Sequence, residues 1–302
     1  MRISPETSQL VLNALQNLEN SEQQDIQQLS TGRRVNADSD DPAAAAVEVN
    51  LAYQMDSTNQ YLQSISDLAS ELQTADSSLN SAGTAIQQAI SVGVEGANGT
   101  LSQQDRTALA QQVQGITQQV LNVANLTYNG RFVFGGTADS QPPYQSDGNG
   151  GVTYQGNDGV NYVEVQDGQT IAVNEPGSQL FSAPGTNVFQ ALEDLSNALE
   201  SNSSTTEDIG NAVTSLRSAY DQLTTARCFY GNTIDQLLSV QQSQNTAKIQ
   251  LSAQQNNVVG IDLDAAASNL SNAQTAQNAT VEAAASLNSL SLMDYISAIG
   301  AQ

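Results

Sequence analysis

Apolar residues recur along this chain at alternating three- and four-residue steps. The clearest run is Ile65, Leu68, Leu72, Ala75, Leu79, Ala82, Ile86 and Ala89. That spacing is the seam of a coiled coil sustained over several heptads. It lies in a helix predicted from Ala43 to about Glu95, with Asp40-Asp41-Pro42 as its start. An aspartate caps free helical N–H groups, and proline fits the first turn. A helix is also predicted from Glu6 to Ser30, on Val11, Ala14, Leu15, Leu18, Ile26 and Leu29, and Thr31-Gly32 stops it. Gly93, Gly96 and Gly99 read as a turn before a third helix, about Ser102 to Tyr128, on Leu109, Val113, Ile116, Val120, Val123 and Thr127.

The pattern then changes. Between Asn129 and Gly185 glycine, asparagine, proline and tyrosine are dense. Arg131–Phe134, Val152–Tyr154, Tyr162–Val165 and Thr170–Val173 read as short strands between turns. Helices resume at Asn187–Glu200 and Thr206–Val258. The second has its seam on Val213, Leu216, Tyr220, Leu223, Arg227, Tyr230, Ile234 and Leu237. Gly260–Asp264 breaks it, and a last helix runs from Leu263 to Ile299 on Ala266, Leu270, Ala273, Gln277, Ala284 and Leu287. The six prolines agree: none lies between Ala43 and Gln141, and none follows Pro184.

The fold class is therefore mainly α with a small β insert. A long antiparallel coiled-coil bundle is built from both ends of the chain, and a small outer β domain sits between. The expected domains are 1–42 with 259–302, then 43–130 with 186–258, then 131–185. The terminal helices share one end, and a lone pair of helices is marginal in water. They are expected to bury their stripes on each other and on further copies. The isolated monomer should then have mobile ends.

Composition narrows the function. The 302 residues hold 8 Lys+Arg against 31 Asp+Glu, a net charge of −23. No window is basic, which argues against nucleic acid and against anionic membrane surfaces. No stretch approaches a membrane span. The N-terminus lacks the apolar core of a cleaved secretory signal. Histidine is absent, so the usual general base and the commonest transition-metal ligand are missing. No enzyme activity and no cofactor are expected.

Candidate chemistry yields to structural readings. Asp40 and Asp41 could be a metal pair, but a helix cap fits better. The Asn36–Asp41 cluster lacks the glycine and distal glutamate of a calcium loop. Asp262 and Asp264 read as a cap for the last helix. Gly135-Gly136 is followed by no phosphate-binding Lys-Ser/Thr. Cys228, the single cysteine, reads as a buried or half-buried apolar side chain. Arg227, Gln241, Gln244 and Lys248 fall at seam positions and have two readings. The favoured one is exposure where the coiled coil ends, and the other is control of register.

Leu29–Ala46, LSTGRRVNADSDDPAAAA, resembles the N-terminal signature of bacterial flagellins and flagellin-like hook-associated proteins. The Asp-Asp-Pro form is similar to the hook–filament junction branch of that family. So are Asn129–Thr137, NGRFVFGGT; Val152–Asn157, VTYQGN; Val173–Gly177 with Phe181; and the end Ser289–Ile296, SLSLMDYI. The resemblance implies a structural adaptor between the first hook-associated protein and flagellin, formed as a layer of self-associated subunits. The alternative is a minor or short flagellin that polymerises. A glycan-binding or hydrolytic insert is a third, more distant reading. The resemblance also implies export without a cleaved signal peptide through the type III apparatus, a dedicated export chaperone, and an extracellular flagellar location. The assembly interface it points to comprises Leu15, Leu18, Ile26, Leu29, Asp40, Asp41, Pro42, Leu270, Leu287, Leu290, Leu292 and Tyr295.

Overall fold

The computed structural model describes residues 5–148 and 151–299, with side chains described for 9–148 and 151–286. The helices are α1 (Pro5–Thr31), α2 (Pro42–Gly96), α3 (Gln103–Ala124), α4 (Gly177–Leu180), α5 (Val188–Glu200), α6 (Thr206–Val259) and α7 (Leu263–Ile299). The strands are β1 (Thr127–Tyr128), β2 (Arg131–Phe132), β3 (Tyr144–Ser146), β4 (Val152–Tyr154), β5 (Tyr162–Gln166) and β6 (Gln169–Ala172). At 55 residues, α2 is about 80 Å long. By contacts the chain forms two units: residues 1–57 with 247–302, and residues 58–246.

The unit of residues 58–246 holds the main core. The predicted α2 seam is buried from Ile65 to Ala89, with Leu68 half-buried. It meets Val113, Ile116 and Val120 of α3, Leu192 and Leu195 of α5, and Leu216, Leu223 and Tyr230 of α6 in one apolar cluster. Ser102 and Asp105 cap α3 reciprocally, and Asn187 caps α5 through the Phe189 and Gln190 amides.

Three features depart from the sequence reading. First, Gly93 and Gly96 do not turn the chain; they are buried residues inside α2. A Cβ at Gly93 would lie 2.4 Å from Val213 Cγ2 and 3.0 Å from Leu195 Cδ1. The glycine is there because α5 and α6 press on that turn of helix. Gly93→Ala is expected to lower the unfolding free energy by about 1–3 kcal/mol through overpacking, read by urea titration. Second, α3 stops at Ala124, four residues early. Asn125 ends it and bonds Tyr144 through both amide groups, donating to the Tyr144 carbonyl at 2.8 Å and accepting from its N–H at 2.9 Å. Third, Cys228 is exposed, because it lies one residue past the Arg227 seam position, and its thiol faces the Thr224 carbonyl at 3.7 Å.

Among the described residues the insert forms three antiparallel hairpins, β1–β2, β3–β4 and β5–β6. The first turns on Asn129-Gly130, with Asn129 at φ 50°. Strand β3 and the helical turn α4 were not expected. Both follow from aromatic burial, since Tyr144, Phe181 and Phe189 pack together with ring centroids 5.1–6.1 Å apart. Phe134 stacks edge-on against Phe181 at 5.7 Å and Tyr230 at 6.4 Å, so the insert shares the helices' core.

Two polar seam residues follow the reading that was less favoured. Arg227 bridges α6 to α2: its Nε lies 2.9 Å and its Nη2 3.1 Å from the Asp76 carboxylate, and its Nη1 is 2.9 Å from Asn80 Oδ1. Such a bidentate pair accepts one axial alignment of the two helices. Gln244 is buried, whereas Gln241 is half-buried and Lys248 exposed.

Candidate assembly interface

The unit of residues 1–57 and 247–302 carries the terminal helices, and α1 packs on α7. Gln274 Nε2 donates to Glu22 Oε1 at 3.3 Å across that pair. The loop after α1 fastens to the α6–α7 break. Arg33 and Gly260 form an antiparallel bridge, and the Arg34 amide donates to the Val259 carbonyl at 2.7 Å. Arg34 reaches the Val258 carbonyl at 3.0 Å with one guanidinium nitrogen and the Asp41 carboxylate at 3.0 Å with another. Arg33 pairs with Glu48 of α2. Beneath these lies a small core of Val35, Ala44 and Val259.

The aspartates at this joint are caps. Asp41 Oδ1 accepts from the Ala44 amide at 3.1 Å. Asp40 Oδ2 accepts from the Asn36 and Ala37 amides, each at 2.9 Å. Asp262 Oδ1 accepts from the Asp264 and Ala265 amides at 3.1 Å. Hydrogen bonds to the charged form lower a carboxyl's pKa. The Asn36 and Ala37 amides hold Asp40 below its ordinary value; the Ala44 amide, then Arg34, do the same for Asp41.

Of the predicted interface residues, Leu15, Leu18, Leu29, Leu270 and Asp41 are half-buried, and Ile26, Asp40 and Pro42 are exposed. The side chains of Leu287, Leu290, Leu292 and Tyr295 lie outside the described residues. The sequence reading missed Arg33, Arg34, Val35 and Val259. The signal available was two arginines in a nearly cation-free chain, set at a helix break. It also missed a set of exposed apolar residues in the same unit, among them Tyr53 (73% exposed), Ile249 (70%) and Val49 (68%), with Leu10 and Leu12 on α1. These stand off the seam, so a search for periodic stripes passes over them. Exposure of this kind marks surfaces that associate.

With so little buried apolar area, α1 should open easily in dilute monomer. Its amides are expected to exchange roughly a thousandfold faster than those of Ile65–Ala89 in α2. Comparable protection of the two segments by hydrogen exchange would contradict this.

In sequence the chain is similar to flagellin-like structural proteins. Residues 4–139 match the family model of the bacterial flagellin N-terminal helical region. Within that class the similarity follows flagellar hook-associated protein 3. The Escherichia coli (strain K12) protein of that name is 28% identical over 288 residues, covering 88% of this chain and 90% of the relative. A flagellin of Clostridium tyrobutyricum is 30% identical over only 118 residues, 38% of this chain and 31% of the relative. In fold, the crystal structure of flagellar hook-associated protein-3 from Legionella pneumophila superposes with a TM-score of 0.62 at 13% identity, over 69% of this chain and 98% of that one.

Proposed function

We propose that this protein is a structural adaptor of the bacterial flagellum, forming a layer of self-associated subunits that joins the hook side to the flagellin filament. The observation that carries this reading is the unit of residues 1–57 and 247–302. It exposes Tyr53, Val49 and Ile249 around a core of a few residues, in a chain similar over 88% of its length to hook-associated protein 3. Neighbouring subunits would cover those side chains. In this reading the partners are the first hook-associated protein, flagellin, an export chaperone and the type III apparatus. The location is extracellular, reached without a cleaved signal, and the role is not enzymatic. Residues 1–42 with 259–302 would line the tube, 43–130 with 186–258 would form the bundle, and 131–185 would face outward. Leu15, Leu18, Ile26, Leu29, Asp40, Asp41, Pro42 and Leu270 would sit at or beside the subunit contacts, with Leu287, Leu290, Leu292 and Tyr295 beyond them.

The flagellin reading draws on the match over residues 4–139, but the Clostridium tyrobutyricum flagellin is similar over only 38% of this chain. Gold labelling of the tagged protein on intact flagella tests the adaptor reading. Label confined to one narrow band at the hook–filament boundary supports it, and label along the filament overturns it.

A further inference from the structure

A pocket of about 250 Å³ opens in the unit of residues 58–246, where β2, β5 and the segment after β6 meet α2. Its wall is rich in polar groups. Glu71, Arg131, Asp139, Asn161 and Asn174 bring carboxylates, a guanidinium and amides, and Tyr162 of β5 stands beside them. Several of these groups have bonding capacity that the fold does not use. Glu71 is half-buried, and no hydrogen bond reaches its carboxylate among the described residues. Burial, only partly offset by the Arg131 charge, holds that carboxyl above its ordinary value. Arg131 donates from Nε to Asp139 Oδ2 at 2.5 Å. Its two outer nitrogens and Asp139 Oδ1 are left without a hydrogen bond among the described residues. Asn161 is anchored by its main chain: its amide donates to Asn174 Oδ1 at 2.5 Å, and its carbonyl accepts from the Val173 amide at 2.9 Å. Its side chain has only a 3.5 Å contact with the Gly136 carbonyl. Polar groups held in place but left unsatisfied are those that a ligand can satisfy.

The arrangement selects the ligand's chemistry. A hydroxyl both donates and accepts, so adjacent ring hydroxyls match carboxylates set beside a guanidinium fork. Tyr162, 67% exposed, offers a flat apolar face to the C–H side of such a ring. Two carboxylates against one guanidinium leave the wall net negative, which disfavours acidic sugars and phosphate esters. The volume lies below the roughly 300–1,000 Å³ of sites for drug-sized ligands, so it admits one ring and not a chain. We propose that this pocket binds one neutral pyranose ring of a glycan, with Tyr162 stacked on the sugar face and Glu71, Asp139, Arg131 and Asn161 holding its hydroxyls. The pocket would serve the protein whether or not it is an adaptor, since it draws on none of the residues that carry that reading.

A single hexose reaches about millimolar affinity in a site of ordinary efficiency. The full chain is therefore titrated with D-glucose, D-galactose and N-acetyl-D-glucosamine, each to about 50 mM, and followed by amide NMR. At least one sugar is expected to shift the Gly136, Val163 and Asn174 amides saturably. Glu71→Gln, which keeps the shape and removes the charge, should weaken binding about tenfold. Tyr162→Ala should weaken it about fivefold. Tyr53→Ala, an equally exposed tyrosine in the other unit, should leave it unchanged. Weakening by either pocket substitution supports the site. No saturable shift with any of the three sugars, or shifts that survive both substitutions unchanged, would overturn it. If Glu71→Gln does not fold, Tyr162→Ala decides alone, because its side chain is exposed.

Discussion

Phe181→Ala should lower the unfolding free energy of the residue 58–246 unit by about 3–5 kcal/mol, the cost of emptying a buried aromatic site. Phe181 is fully buried and touches three other rings, Phe134, Tyr144 and Phe189. Those rings come from the chain after β2, from β3 and from α5. The cavity cannot collapse without moving all of them, which puts the expectation at the high end of large-to-small substitutions. The loss should appear as a lower urea midpoint with an unchanged slope. A loss below about 1 kcal/mol would mean that the insert does not share the helices' core.

Gly136→Ala should rank next, at about 2–4 kcal/mol, because two costs coincide there. Gly136 sits at φ 73°, a conformation that strains any residue with a side chain. An added Cβ would also fall 2.1 Å from the Asn157 carbonyl oxygen, which is backbone and cannot rotate away. Asn157 is the hub of the insert: its Oδ1 accepts from the Thr137 amide at 2.8 Å and the Gly159 amide at 3.0 Å, and its carbonyl accepts from the Tyr154 hydroxyl at 2.8 Å. Displacing it should loosen both hairpins that flank it. Thermal unfolding by circular dichroism measures the loss, and a midpoint within a degree or so of wild type would contradict it.

The helical arms were legible because each α2 seam residue from Ile65 to Ala89 repeats one instruction, and a period survives local exceptions. Gly93 was misread because glycine breaks helices by conformation yet also admits close helix contact, and only the partner, here Val213 and Leu195, decides between them. The strand at Tyr144 was invisible for a similar reason: its register is fixed by Asn125 and by aromatic rings distant in sequence, not by alternation. At the joint, Asp40, Asp41 and Asp262 were legible as caps, since capping is decided within a few residues. The contacts of Arg33 and Arg34 with Gly260 and Val258 were not, because they span more than 220 positions. Arg227 stood between two readings until Asp76 supplied its partner.

The adaptor reading holds that subunits associate to a bounded layer and that this chain alone does not propagate a filament. Purified protein seeded with sheared flagellar fragments and imaged by electron microscopy tests that directly. The expected result is fragments capped by a thin terminal layer, with no elongation at any protein concentration. Growth of micrometre filaments from the seeds by this protein alone would contradict the account and place the chain among the flagellins.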